Sequence, residues 1–100
     1  MKETPKKYRI NTYLDTLTIK EHKEAMRLIP EILEISINTF HNYRRIKIGD
    51  LQDIPYEKVR MMEILFEMQE GTLINYKIEG KNLKVVIKED SSDFITDLQE

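Results

Sequence analysis

Residues 36–45, SINTFHNYRR, decide how this chain is read, because at helical spacing they sort into one apolar arc and one polar arc. With Phe40 at the centre and about 100° between successive residues, Ser36, Ile37, Tyr43 and Arg44 fall within roughly 60° of it. Asn38, His41, Asn42 and Arg45 gather opposite, at i, i+3, i+4 and i+7. That side carries two carboxamides, an imidazole and a guanidinium, with no acid among them. Carboxamides pair bidentately with adenine and a guanidinium with guanine in the major groove, so the face has the chemistry to read base edges and to grip phosphates.

Immediately upstream, Ser36 has the hydroxyl to cap this helix, with Thr39 in its first turn, and Glu34 and Ile35 form a tight connection behind it. Further back, Thr18 followed by Glu21 is a capping-box pair, and Ile19, Ala25, Met26 and Ile29 give an apolar stripe. Proline lacks an amide hydrogen, so Pro30 is expected to end that helix and to open a short one over residues 30–33. Residues 8–14 admit two readings. Tyr8, Ile10, Thr12 and Leu14 alternate as a strand would, whereas Tyr13, Leu14 and Leu17 suit a helix; the strand is favoured. The polar opening KETPKK is expected to fray.

Downstream, Gly49 and Asp50 signal a loop, and Asp53 with Pro55 announces a helix striped by Val59, Met62, Leu65 and Phe66, ended by Gly71. The apolar period then shortens to two. Ile74, Tyr76 and Ile78, then Leu83, Val85 and Ile87, flank a Gly80-Lys81-Asn82 turn, which predicts a β-hairpin over residues 73–88. The expected fold is mainly α with a C-terminal β-hairpin (α+β): a helix-turn-helix core over residues 19–68, the hairpin and, on the strand reading of residues 8–14, an N-terminal strand. Residues 1–88 form one domain and 89–100 an acidic tail, in which Phe94, Ile95 and Leu98 suit a short docking helix.

One hundred residues support a single small core. At 40% hydrophobic and 34% charged residues the chain is too apolar for disorder. It has no cysteine, which removes disulfides and thiolate zinc sites. No apolar run has membrane-spanning length and no secretory signal is evident, so no membrane partner and a cytoplasmic location are expected. Net charge is −2, but five of the 18 acids lie in residues 89–100, where there is no lysine or arginine, leaving 16 basic against 13 acidic residues elsewhere. Residues 41–49 contain Arg44, Arg45 and Lys47 and no acid. Charge is screened within about 8 to 10 Å, so this local balance, not the total, governs attraction to phosphate. Taken alone, the segment reads equally well as a solvated basic helix end.

Two short helices joined by a tight turn, the second with a polar outward face, make a helix-turn-helix. On the stretch LIPEILEISINTFHNYRR the chain resembles the phage Cro and repressor-like family of DNA-binding domains. Leu33 and Ile35 stand at apolar positions around the turn, Ser36 starts the second helix, and Phe40 and Tyr43 pack beneath it. Gly49, a loop, a proline and the helix in IPYEKVRMMEILFEM are similar to the supporting helix that follows. Two positions depart from the pattern: Glu34 stands where the family often has glycine, and Ile29 and Pro30 replace a small residue of the first helix. The resemblance covers about half of the chain and implies a regulator binding double-stranded DNA through Ser36, Asn38, Thr39, His41, Asn42 and Arg45, with Arg44 and Lys47 reaching phosphates.

Plainer roles suit the other conspicuous residues. Met61, Met62, Met68 and the remaining tyrosines fit a core or its border, and Glu63 and Glu67 fit a solvated helix face. His22 and His41 are too far apart in the chain to suggest a metal pair. No nucleophile with a base and no phosphate-binding glycine loop is present, so neither enzymatic activity nor a cofactor is expected. The competing reading is a protein-interaction or assembly module that uses the hairpin and acidic tail without touching DNA. The hairpin's apolar alternation also predicts a homodimer formed through it.

Overall fold

The computed structural model describes residues 4–90, with five helices: α1 Ile10–Leu14, α2 Ile19–Leu33, α3 Ile37–Arg45, α4 Tyr56–Leu65 and α5 Leu83–Asp90. The core joins Tyr8, Ile10, Leu14, Ile29, Leu33, Phe40, Ile46, Ile54, Met62, Phe66 and Leu73, contributed by α1 to α4 and the segments between them. Tyr13 of α1 stacks on Phe66 with ring centroids 4.1 Å apart and 15° between planes, which ties the first helix to the end of α4.

α2 begins with the full capping box: the Thr18 hydroxyl accepts the Glu21 amide at 3.1 Å and the Glu21 carboxylate accepts the Thr18 amide at 3.0 Å. Pro30 does not break it. The helix runs on through the buried proline to Leu33, so the expected separate helix over residues 30–33 is corrected to the last turn of α2. Pro30 is buried, as are Ile29 and Leu33 of the same helix, and that burial offsets the lost hydrogen bond; the helix stops one turn later in any case. Glu34 supplies the stop by taking left-handed backbone (φ 56°, ψ 44°), and the Ile35 amide reaches back to the Pro30 carbonyl at 3.0 Å.

The β-hairpin expected over residues 73–88 is absent; among the described residues there is no strand, and the fold is helical rather than α+β. Leu83, Val86 and Ile87 fit a helical stripe as well as Leu83, Val85 and Ile87 fit a strand. The cap decides between them, because the Asn82 side chain accepts the Val85 amide at 2.9 Å and starts α5 where a turn was expected. The N-terminal strand resolves into two isolated antiparallel bridges, Lys6 with Lys47 and Tyr8 with Ile74, after which Ile10 and Leu14 are buried one helical turn apart in α1. Of the opening KETPKK, residues 5–7 are consequently held rather than frayed, and residues 2 and 3 lie outside the described residues. The Lys7 amide donates to the Ile46 carbonyl (2.9 Å), and the Lys7 carbonyl accepts the Asn75 amide (2.7 Å).

Glu63 also departs from expectation. It is 1% exposed, and its Oε2 accepts the amides of Gly71 (2.9 Å) and Leu73 (3.1 Å), so α4 pins the segment that delivers Leu73 to the core. α4 ends at Leu65, with Glu67 rather than Gly71 in the left-handed position just beyond (φ 57°). Among the described residues no helix is long and apolar enough to cross a membrane. The expected helix around Phe94, Ile95 and Leu98 lies outside the described residues, and only Glu89 and Asp90 of the acidic tail fall within them.

Candidate nucleic-acid interface

α3 is set against the body by one deep anchor. Phe40 is fully buried beneath it, and burial of a side chain of that size stabilises by roughly 1.5–3 kcal/mol. Its start is capped by the Ser36 hydroxyl, which accepts the Thr39 amide at 3.0 Å and bonds the Thr39 hydroxyl at 2.9 Å. The turn behind it spans Glu34, Ile35 and Ser36, and Lys58 of α4 donates to the Leu33 carbonyl at 2.7 Å. A cation thus sits at the negative end of α2 and links the supporting helix to the turn.

Of the eight residues expected at the site, three stand out on α3 with their polar groups unspent. Asn38, Asn42 and Arg45 are exposed and make no side-chain hydrogen bond or ion pair among the described residues. Ser36 and Thr39 have polar groups engaged in the cap. Arg44 turns inward: its Nε donates to Asn11 Oδ1 at 2.7 Å, and its Nη1 lies 3.2 Å from His41 Nδ1. A guanidinium only donates, so His41 Nδ1 is the acceptor in that contact. Arg44 is therefore a brace between α1 and α3. Lys47 is half-buried just beyond α3, in a turn where its amide donates to Asp50 Oδ2 at 2.9 Å. Ile37, assigned to the apolar arc, remains 44% exposed beside Asn38.

The sequence alone missed two contributors. Lys6 and Asn11 join His41, Arg44 and Arg45 around an open hollow of about 260 Å³ at the C-terminal end of α3. The only carbonyl-bearing side chain in that lining is Asn11, whose oxygen is occupied by Arg44, so the hollow presents donors and positive charge. Basic groups there also complement the negative end of the α3 dipole, a structural reason for them independent of any ligand. Lys6 arrives through its bridge with Lys47, a pairing of residues 41 positions apart that carries no local sequence signal.

Comparison with known proteins finds no matching family, no matching curated protein and no matching solved structure. The geometry of α3 and its surroundings is what bears on function. Among the described residues no group of three or more histidines or acids is placed to share a metal ion.

Proposed function

We propose that this chain is a small transcription regulator that binds double-stranded DNA sequence-specifically, with α3 in the major groove. One observation carries the reading: Asn38, Asn42 and Arg45 project from one side of α3 with no partner among the described residues, while the neighbouring polar groups are committed to a cap or a brace. Asn38 and Asn42 are suited to adenine and Arg45 to guanine or a phosphate. The exposed Ile37 in the first turn suits a thymine methyl group. Lys6 and Lys47, with the positive charge of Arg44 behind them, supply phosphate attraction at the flank. The alternative, a protein-interaction or assembly module using the hairpin and acidic tail, is without the hairpin, since residues 83–90 are helical, while the tail beyond Asp90 lies outside the described residues.

Selection from random duplex DNA at two salt concentrations tests the proposal. A recurring motif should emerge, and Asn38→Ala or Asn42→Ala should relax preference at individual base pairs by about 1–3 kcal/mol. Lys6→Ala and Lys47→Ala should weaken all duplexes alike and reduce the salt slope by about one unit each. No enriched motif, or equal losses on selected and random DNA for the asparagine variants, would refute major-groove reading.

A further inference from the structure

Charge is left unbalanced at the hollow beside the end of α3. Lys6, Arg44 and Arg45 bring three positive charges to its wall, and none of the three forms an ion pair among the described residues. Other half-buried cations are answered: Lys7 lies 2.7 Å from Asp53, and Arg60 lies 3.7 Å from Glu63 and 4.0 Å from Glu70. Arg44 is half-buried too, yet its partners are Asn11 Oδ1 at 2.7 Å, His41 Nδ1 at 3.2 Å and Met26 Sδ at 3.8 Å, none of them an acid. A guanidinium drawn away from water is stabilised by an opposite charge. The α3 dipole contributes only about half a unit of negative charge at this end, too little to offset three positive ones. Arg45 also lines a neighbouring hollow with Asp50, but the two form no ion pair, and Asp50 Oδ2 accepts the Lys47 amide.

The groups left over at the hollow are donors. Asn11 gives its oxygen to Arg44 and keeps its Nδ2 amide, and Arg44 uses Nε and Nη1 and keeps Nη2. Lys6 Nζ and the Arg45 guanidinium have no partner among the described residues. The ligand suited to such a set has several acceptor oxygens, full negative charge and no need of an acceptor in return, which describes a phosphate group. At about 260 Å³ the hollow has room for one with water beside it.

We propose that this hollow seats a single phosphate group, held by Lys6, Asn11, Arg44 and Arg45. A duplex lying on α3 brings such a group in its backbone, and free phosphate brings the same chemistry without DNA. The inference rests on the DNA-binding reading only for the first of these sources. There it adds register: Asn11 and Arg44 also brace α3, so a backbone phosphate held by them is fixed relative to Asn38 and Asn42.

Nuclear magnetic resonance of the ¹⁵N-labelled full chain tests the seat, through the Asn11 side-chain amide and the Arg44 Nε–H. Inorganic phosphate, pyrophosphate and a random-sequence duplex are titrated in turn, with sodium chloride holding the ionic strength constant. At least one of the three should shift these signals saturably. Asn11→Asp is the decisive variant, because aspartate keeps an oxygen for Arg44 Nε while it removes the amide donor and adds negative charge to the hollow. Circular dichroism should show it folded, and its affinity for the responding source should fall about tenfold or more. Lys6→Glu, which lies outside the brace, should give a similar loss and decides the matter should Asn11→Asp fail to fold. Shifts with phosphate and pyrophosphate support a seat open to free phosphate, and shifts with the duplex alone support the backbone as its source. Failure of base reading is a separate result: selection then yields no motif, while the response to phosphate or random duplex remains. No saturable shift with any of the three overturns the proposal. So do folded Asn11→Asp and Lys6→Glu variants that bind as the parent does.

Discussion

Replacing Glu63 with alanine removes a carboxylate that is 1% exposed and accepts two amides, Gly71 at 2.9 Å and Leu73 at 3.1 Å. A hydrogen bond to a charged group contributes about 1.5–3 kcal/mol, so the pair is worth roughly 3–6 kcal/mol before relaxation. Relaxation recovers part of this. Gly71 is exposed and its amide can recruit water, and Arg60, which lies 3.7 Å from Glu63 Oε1, already has Glu70 within 4.0 Å. The buried Leu73 amide has no such outlet, which leaves a net loss of about 3 kcal/mol. Against a total stability of about 5–15 kcal/mol for a domain of this size, that loss is readily measured. Urea unfolding followed by far-UV circular dichroism should show a lowered midpoint at unchanged slope. Glu63→Gln keeps one acceptor oxygen and should cost only about 1–2 kcal/mol. An alanine variant within about 0.5 kcal/mol of the parent would refute the role given to this carboxylate.

Two further substitutions probe the turn and the N-terminal tie. Glu34→Gly removes the strain of a side chain in left-handed backbone and should stabilise by about 0.5–1 kcal/mol after the added entropy of the unfolded chain; an unchanged or lower thermal midpoint would contradict it. Burial opposes the charge on Asp53, but hydrogen bonds from Lys7, Tyr8 and the Ile54 amide together hold its carboxyl below the usual range. Its contribution is therefore complete above the unfolded value of about 3.9 and is lost as pH falls through the lower folded value. The group is half exposed, so acid unfolding of the parent should show only about 0.5–1 kcal/mol of extra loss relative to Asp53→Asn, and superimposable acid profiles would refute the tie.

Three helices were legible in the sequence: α4 from Pro55 and its apolar stripe, and α2 and α3 from their caps as well. Thr18 with Glu21 and Ser36 with Thr39 mark the starts of α2 and α3 through bonds between residues three apart, and these are local facts. Phe40 beneath α3 and the Asn38, Asn42 and Arg45 face followed from the same 100° spacing. The errors arose where a local pattern fitted two structures. Leu83 to Ile87 alternate at period two and also stripe at i, i+3 and i+4, and only the Asn82 cap separates the readings. At Pro30 and Glu34, penalties of a few kcal/mol or less are absorbed by tertiary packing and by the cost of ending the helix elsewhere. Lys6, Asn11 and Glu63 were illegible because the partners that define them lie eight to 41 residues away.

Arg44 and Arg45 show why the fold matters more than composition at such a site. In composition they are equivalent cations, and helical spacing alone puts Arg44 on the Phe40 side and Arg45 on the polar side. A rotation of about 100° between neighbours separates them completely. Arg44 spends its planar fork on Asn11 and His41, a geometry that lysine cannot reproduce, and so fixes α3 against α1 near the end opposite the Ser36 cap. Arg45 points outward with Asn42 and Asn38. A reading helix must resist rolling when it enters a groove, since a small rotation displaces every base contact at once. Phe40 below, the cap at one end and the arginine brace at the other resist that rotation, which is the rigidity that the proposed reading of a duplex by Asn38, Asn42 and Arg45 requires.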